Sequence, residues 1–141
     1  MRNYYNLNRT NQIDESKIIG MMRIGSRWET SKNDWLEIVS PVNGETVGFT
    51  PLGDSSYVDK AVRTAHKSVK EIQKLSIWDK AKICYQISDV ILKNKVELAQ
   101  LLSFEQGKPL HSEALIEIES AANSFRDWGE QAKWLETNFF H

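Results

Sequence analysis

The apolar residues of this chain change their spacing near Gly53, and that change limits the fold more than any other feature. Before it, Met22, Ile24 and Trp28, then Trp35, Ile38 and Val39, then Val47 and Phe49 come in short β-branched and aromatic runs. Gly25-Ser26, Lys32-Asn33-Asp34 and Pro41-Val42-Asn43-Gly44 break the runs, so they read as strands joined by turns. Asn43-Gly44 is the strongest turn signal, because both residues tolerate positive φ. Beyond Gly53, spacings of three and four take over. Val58, Ala61, Val62, Ala65, Val69 and Ile72 line one face of a helix. Ser56 and Asp59 have the spacing of a capping box at its start, and Ser76 and Asp79 repeat that spacing for the next helix. The second stripe runs through Cys84, Ile87 and Ile91, pauses at Lys93-Asn94-Lys95 and resumes at Leu98, Leu101 and Leu102. It fits one kinked rod or two helices. Leu115, Ile118, Ala122, Phe125, Gly129 and Ala132 define a last long helix, with Trp128 and Leu135 on a neighbouring stripe. The expected organisation is a loose arm over 1–20, a short β-ribbon over 21–50, and three or four helices over 55–136.

Between the last two helical stretches stands Gly107-Lys108-Pro109. A phosphate-gripping loop would need glycines spaced around several free backbone amides, then Lys-Ser/Thr, after a buried strand. Here the preceding segment is helical and a proline removes one amide. Glycine just past a periodic segment, with proline two residues later, is instead the ordinary way to end a helix. The motif reads as a hinge.

Composition narrows the function classes. At 141 residues the chain fits one domain of ordinary size, with 40% hydrophobic and 26% charged residues, as in a folded, soluble protein. The formal net charge of -1 gives no basic field for nucleic acid. One cysteine excludes an internal disulfide framework and a multi-thiolate metal site. The polar N-terminus lacks the apolar core of a signal peptide, and no apolar run approaches the roughly 20 residues that span a bilayer. The expected location is cytoplasmic, with neither nucleic acid nor membrane as partner.

Candidates for chemistry are few. Cys84 lies on an apolar helical face and reads as a structural thiol rather than a nucleophile. His66, His111 and His141 are too scattered to suggest a metal site. Glu113, Glu117 and Glu119 read as a solvated acidic side of the last helix, near its N-terminus. The five tryptophans read as core and packing residues. The residues by themselves define no active site.

The order of these elements resembles the start of an aldehyde dehydrogenase, from about Met22 to Leu135. "MRIGSRWETS" is similar to the family's opening strand with its Gly-x-Trp. "SPVNGETVGFTPLGDSSYVDKAVRTAHKSV" resembles the Asn-Pro-x-x-Gly-Glu turn, the next strand and the Val-Asp-x-Ala-Val helix, with Ser40 where the family usually has Asn. "ELAQLLSFEQGKPLHSEALIEIESAANSFRDWGEQAKW" is similar to the family's Glu-x-Gly-Lys-Pro block, most of all that of NAD(P)-dependent succinate-semialdehyde dehydrogenases.

The resemblance implies an α/β family fold, represented here by its mostly α N-terminal part, about the first quarter of a complete member. It implies oxidation of a small aldehyde through a cysteine thiohemiacetal and thioester, with NAD or NADP as hydride acceptor and a homo-oligomeric assembly. The family's oxyanion, cofactor-turn, base and nucleophile motifs do not occur in residues 1–141. No catalytic and no cofactor-binding residue is therefore expected, and no NAD or NADP binding by this chain. One feature carries over by resemblance: some members bind a monovalent cation with backbone carbonyls and an acidic residue, which here correspond to Ile38, Val39 and Glu117. Two readings stand open, an N-terminal piece of an aldehyde dehydrogenase and a non-catalytic helical module that docks onto a full-length relative.

Overall fold

The computed structural model describes residues 18–31 and 35–135. Residues 1–17 of the expected arm, and the terminal His141, lie outside the described part. The chain divides into two units, Met1–Lys67 and Ser68–His141.

In the first unit, strand β1 (Ile18–Ile19) takes up the end of the expected arm and pairs in parallel with β5 (Thr46–Pro51). On its other edge β5 pairs antiparallel with β4 (Trp35–Val39), giving the order β1-β5-β4. Strands β2 (Met22–Ile24) and β3 (Arg27–Glu29) form a separate two-stranded sheet. The expected ribbon is thus two sheets. Gly25 has φ +61 and Ser26 stays at negative φ, so the β2–β3 connection is a two-residue hairpin turn of the II′ pattern. At the other turn only Gly44 takes positive φ, at 72°. Asn43 contributes through its side chain instead, its Oδ1 accepting from Glu45 N at 3.1 Å.

Helix α1 (Ser55–Lys74) begins two residues earlier than the capping box would have it. Its cap is Asp54, whose Oδ1 accepts from Ser56 N at 2.8 Å and from Ser56 Oγ at 2.6 Å. A carboxylate two residues nearer the chain start reaches the free amides of the first turn, so Ser56 becomes a donor rather than the cap. This helix touches the hairpin with its Tyr57, Lys60 and Thr64 side: Tyr57 OH donates to Thr30 O at 3.0 Å, and Lys60 pairs with Glu29. The valine stripe lies elsewhere on the helix. No residue of α1 is buried, and Val58 and Val62 are 60% and 61% exposed.

The second unit is helical. The long stripe resolves into two helices, α2 (Ile77–Lys93) and α3 (Lys95–Gln106), which part at Asn94. Ser76 caps α2 as expected: its Oγ accepts from Asp79 N at 3.1 Å and donates to Asp79 Oδ2 at 2.7 Å. A π-helical turn, Leu110–Ala114, then leads into α4 (Leu115–Leu135). Helix α2 packs most extensively on α4, and the residues at that crossing are small. Ala81, Ser88 and Ala122 are buried, as is Gly129. A Cβ on Gly129 would lie 2.8 Å from Tyr85 Cε1 and 3.2 Å from Ala81 O, so the backbones approach closely because no side chain separates them. Ala99 and Ala114 are buried in the same unit.

A core of alanine, serine and glycine leaves the large residues outside. Trp28, Trp78, Trp128 and Trp134 are exposed, which corrects the expectation that the tryptophans form the core. For Trp78, Trp128 and Trp134 of the helical unit the reason is geometric: an indole cannot enter a crossing that has no room for a single methyl group. Two of the rings take a cation instead, Arg23 over Trp28 at 5.1 Å and Lys133 over Trp78 at 5.8 Å.

Candidate functional site

The Gly-Lys-Pro turn is a helix terminator, as the sequence predicts. Gly107 closes α3 in the left-handed region, with φ 71 and its N–H donating to Ser103 O at 2.8 Å. Ser103 Oγ donates to Lys108 O at 2.7 Å, tying the turn back to α3. Pro109 N-caps the π turn, where His111 stands exposed. Lys108 Nζ, on a side chain only 19% exposed, donates to the Glu117 carboxylate and spans the turn as an ion pair.

The three glutamates do not share one face. Glu117 is held by Lys108, whereas Glu119 pairs with Lys95 of α3 at 3.0 Å. All three are exposed, as expected, but residues two apart point to opposite sides of a helix, so Glu117 and Glu119 do not form one side. Of the residues assigned to a monovalent cation by resemblance, Ile38 and Val39 sit in β4 of the first unit and Glu117 in α4 of the second. Ile38 and Val39 flank a register shift in the β4–β5 ladder: Ile38 faces Gly48 and Val39 faces Thr46, so Val47 is the extra residue of a bulge.

Cys84 is half-buried on the α2 face that meets α4, with its Cβ 3.2 Å from where a Gly129 Cβ would stand. That is a packing position. His66 is exposed on α1. Among the described residues, no cluster of three or more His, Cys, Asp or Glu could hold a metal ion, and no helix is long and apolar enough to cross a membrane.

A polar cluster that the sequence reading missed joins α2 to α4. Tyr85 OH donates to Glu130 Oε1, Lys133 Nζ donates to Glu130 Oε2 at 3.0 Å, and Lys133 lies 5.0 Å from the Tyr85 ring centre. The Tyr85 hydroxyl and then the Lys133 ammonium hold the Glu130 carboxyl below its usual value, and Tyr85 and then Glu130 raise Lys133. Arg126 of α4 extends the cluster, pairing with Asp89 of α2 at 3.0 Å. The only sequence signal was the i,i+3 spacing of Glu130 and Lys133. Tyr85 joins them solely through the helix crossing. The cluster clamps two helices.

The sequence profile of the aldehyde dehydrogenase family matches residues 28–140. The chain belongs to the aldehyde dehydrogenase family. It is 29% identical over 126 residues to the mitochondrial succinate-semialdehyde dehydrogenase of Oryza sativa subsp. japonica, covering 86% of this chain and 24% of that protein. It is 30% identical to the glutarate-semialdehyde dehydrogenase of Pseudomonas aeruginosa, over 86% of this chain and 26% of that one. Among solved structures, an NAD-dependent aldehyde dehydrogenase from Sinorhizobium meliloti superposes with a TM-score of 0.80 at 28% identity, covering 84% of this chain and 24% of that chain. A 3,6-anhydro-L-galactose dehydrogenase solved in complex with NAP gives 0.79 at 28% identity. The chain therefore has the aldehyde dehydrogenase fold in its mostly helical N-terminal part, and it spans about a quarter of the length of the relatives it matches.

Proposed function

We propose that this chain is the N-terminal segment of an NAD(P)-dependent aldehyde dehydrogenase acting on a semialdehyde such as succinate semialdehyde, and that alone it turns over no aldehyde. The observation that carries the reading is the family match over residues 28–140, joined to coverage of only 24% of the rice relative. The semialdehyde assignment draws on relatives named for succinate semialdehyde and glutarate semialdehyde. What supports inactivity is the setting of the one cysteine, which is half-buried in a helix crossing with its Cβ 3.2 Å from where a Gly129 Cβ would stand, a packing position.

The test has two arms. The purified chain is incubated with succinate semialdehyde and either NAD or NADP, and reduced nicotinamide is followed by absorbance. No turnover is expected, and turnover that Cys84→Ala abolishes would sink the reading, because a contaminating dehydrogenase would survive that change. Sequencing the gene in frame past the codon for His141 is the second arm. Aldehyde dehydrogenase sequence there assigns the activity to the whole, and its absence favours a second reading, a helical module that docks onto a full-length relative. The exposed valines of α1 support that alternative, since an amphipathic helix with no buried residue has an apolar face to offer.

A further inference from the structure

Asn43 is the only asparagine of the chain followed by glycine, and the pair sits in the exposed turn between β4 and β5. An asparagine side chain is of the length that lets its amide carbon Cγ close a cyclic imide with the next backbone nitrogen. Most residues at that next position shield the nitrogen with their Cβ. Glycine has none, and a Cβ on Gly44 would meet nothing within 4 Å among the described residues, so no neighbour crowds the place where the ring forms. Two hydrogen bonds act there in opposite directions. Asn43 Oδ1 accepts from Glu45 N at 3.1 Å, which folds the side chain over the backbone that follows and draws electrons from Cγ. Gly44 N–H donates to Ser40 O at 2.9 Å, which engages the proton that the nitrogen must lose before it attacks. Ser40 N, donating to Glu45 O at 2.8 Å, closes the same turn at its base.

We propose that Asn43-Gly44 is a site of spontaneous covalent modification, a deamidation that the turn slows and does not prevent. Gly44 N gives its proton to solvent hydroxide and bonds to Asn43 Cγ, the two groups being held together by the chain itself. The Cγ–Nδ2 bond then breaks, and the nitrogen leaves as ammonia with a proton from water. Water opens the imide at either of its carbonyls. One opening yields aspartate. The other yields isoaspartate, in which the main chain runs through the side chain and is an atom longer. Both products place a new carboxylate beside Glu45, where the asparagine was neutral. The longer product cannot keep the Ser40–Glu45 and Ser40–Gly44 hydrogen bonds as they stand, so the turn that joins β4 to β5 loosens. The inference rests on this turn alone and does not depend on the aldehyde or on the chain's catalytic state.

The experiment ages the purified 141-residue chain at neutral and at mildly alkaline pH and follows every asparagine by peptide mapping with mass spectrometry. A protein isoaspartyl methyltransferase with a labelled methyl donor marks the isoaspartate. Asn43 is expected to react before every other asparagine, faster at the higher pH, and to give both products, with most of the methyl label on the peptide that carries it. In urea, where Gly44 N is released, the rate at Asn43 should rise about fivefold, the factor that an ordinary hydrogen bond sets. Asn43→Gln, whose longer side chain would have to close a larger ring, should lose that label and the shift to a more acidic species. An Asn43 that outlasts another asparagine would overturn the proposal. So would label that Asn43→Gln leaves unchanged, or a folded chain that reacts as fast as the chain in urea. The mapping is made on the wild-type chain, so the outcome stands even if the variant does not fold.

Discussion

Gly129→Ala puts the α2–α4 crossing to its sharpest test, because two effects of similar size oppose each other there. In a helix interior, alanine is favoured over glycine by about 0.8–1.0 kcal/mol. At Gly129 the added methyl would stand 2.8 Å from Tyr85 Cε1, 3.2 Å from Ala81 O and 3.2 Å from Cys84 Cβ. The Ala81 oxygen belongs to the α2 backbone and moves only if the helix moves. The Tyr85 ring is held at its hydroxyl by Glu130 and lies under Lys133 and Arg126. Overpacking against such fixed neighbours costs about 1–3 kcal/mol. With the middle of that range, about 2 kcal/mol, the net loss is about 1 kcal/mol, or a fivefold rise in local opening at room temperature. Amide hydrogen exchange along α2 and α4 reads that quantity directly, and it isolates this pair of helices from the first unit. The expected result is exchange about fivefold faster in both helices, and a larger acceleration for Gly129→Val, which adds two more carbons with a weaker helix propensity. Slower exchange in Gly129→Ala would mean that propensity alone operates and that the helices are not in close contact at Gly129.

Other expectations follow from the same contacts. Ser88 is fully buried with no hydrogen-bond partner for its Oγ among the described residues; Ser88→Ala should be neutral or stabilising by about 1 kcal/mol in urea unfolding, and a loss above that would show a hidden partner. Ser76→Ala removes the α2 cap and should cost about 1 kcal/mol, seen as faster exchange confined to the first turn of α2. Val62→Gln should leave stability within about 0.5 kcal/mol and reduce the binding of a hydrophobic dye, because Val62 is exposed; unfolding of the variant would show a buried partner. Asp54 and Glu130 both titrate below their ordinary values when folded, Asp54 chiefly through the Ser56 hydroxyl and Glu130 chiefly through the Tyr85 hydroxyl. Their contribution is therefore complete above the ordinary carboxylate range and is lost as pH falls through the lowered folded values. An acid titration of Asp54→Asn/Glu130→Gln should show a shallower loss of stability than wild type, and an unchanged slope would refute the assignment.

The sequence by itself determined the parts of this protein that depend on neighbours along the chain. The change of period at Gly53, the Ser76–Asp79 cap, the break at Asn94 and the Gly107 terminus were all legible, since each is settled by local hydrogen bonds and backbone freedom. The family was legible too, from the motifs around Asn43-Gly44 and Gly107-Lys108-Pro109. Tertiary structure decided what the stripes face. The valines of α1 have the spacing of a core yet are exposed, and where α2 crosses α4 only small residues fit, so the large rings of the helical unit stay outside. The Tyr85–Glu130–Lys133 cluster and the Lys108–Glu117 pair were likewise invisible in the sequence. Periodicity records which side of a helix is apolar, whereas burial depends on how near a second backbone can come, and at Gly129 the absence of a single methyl group sets that distance.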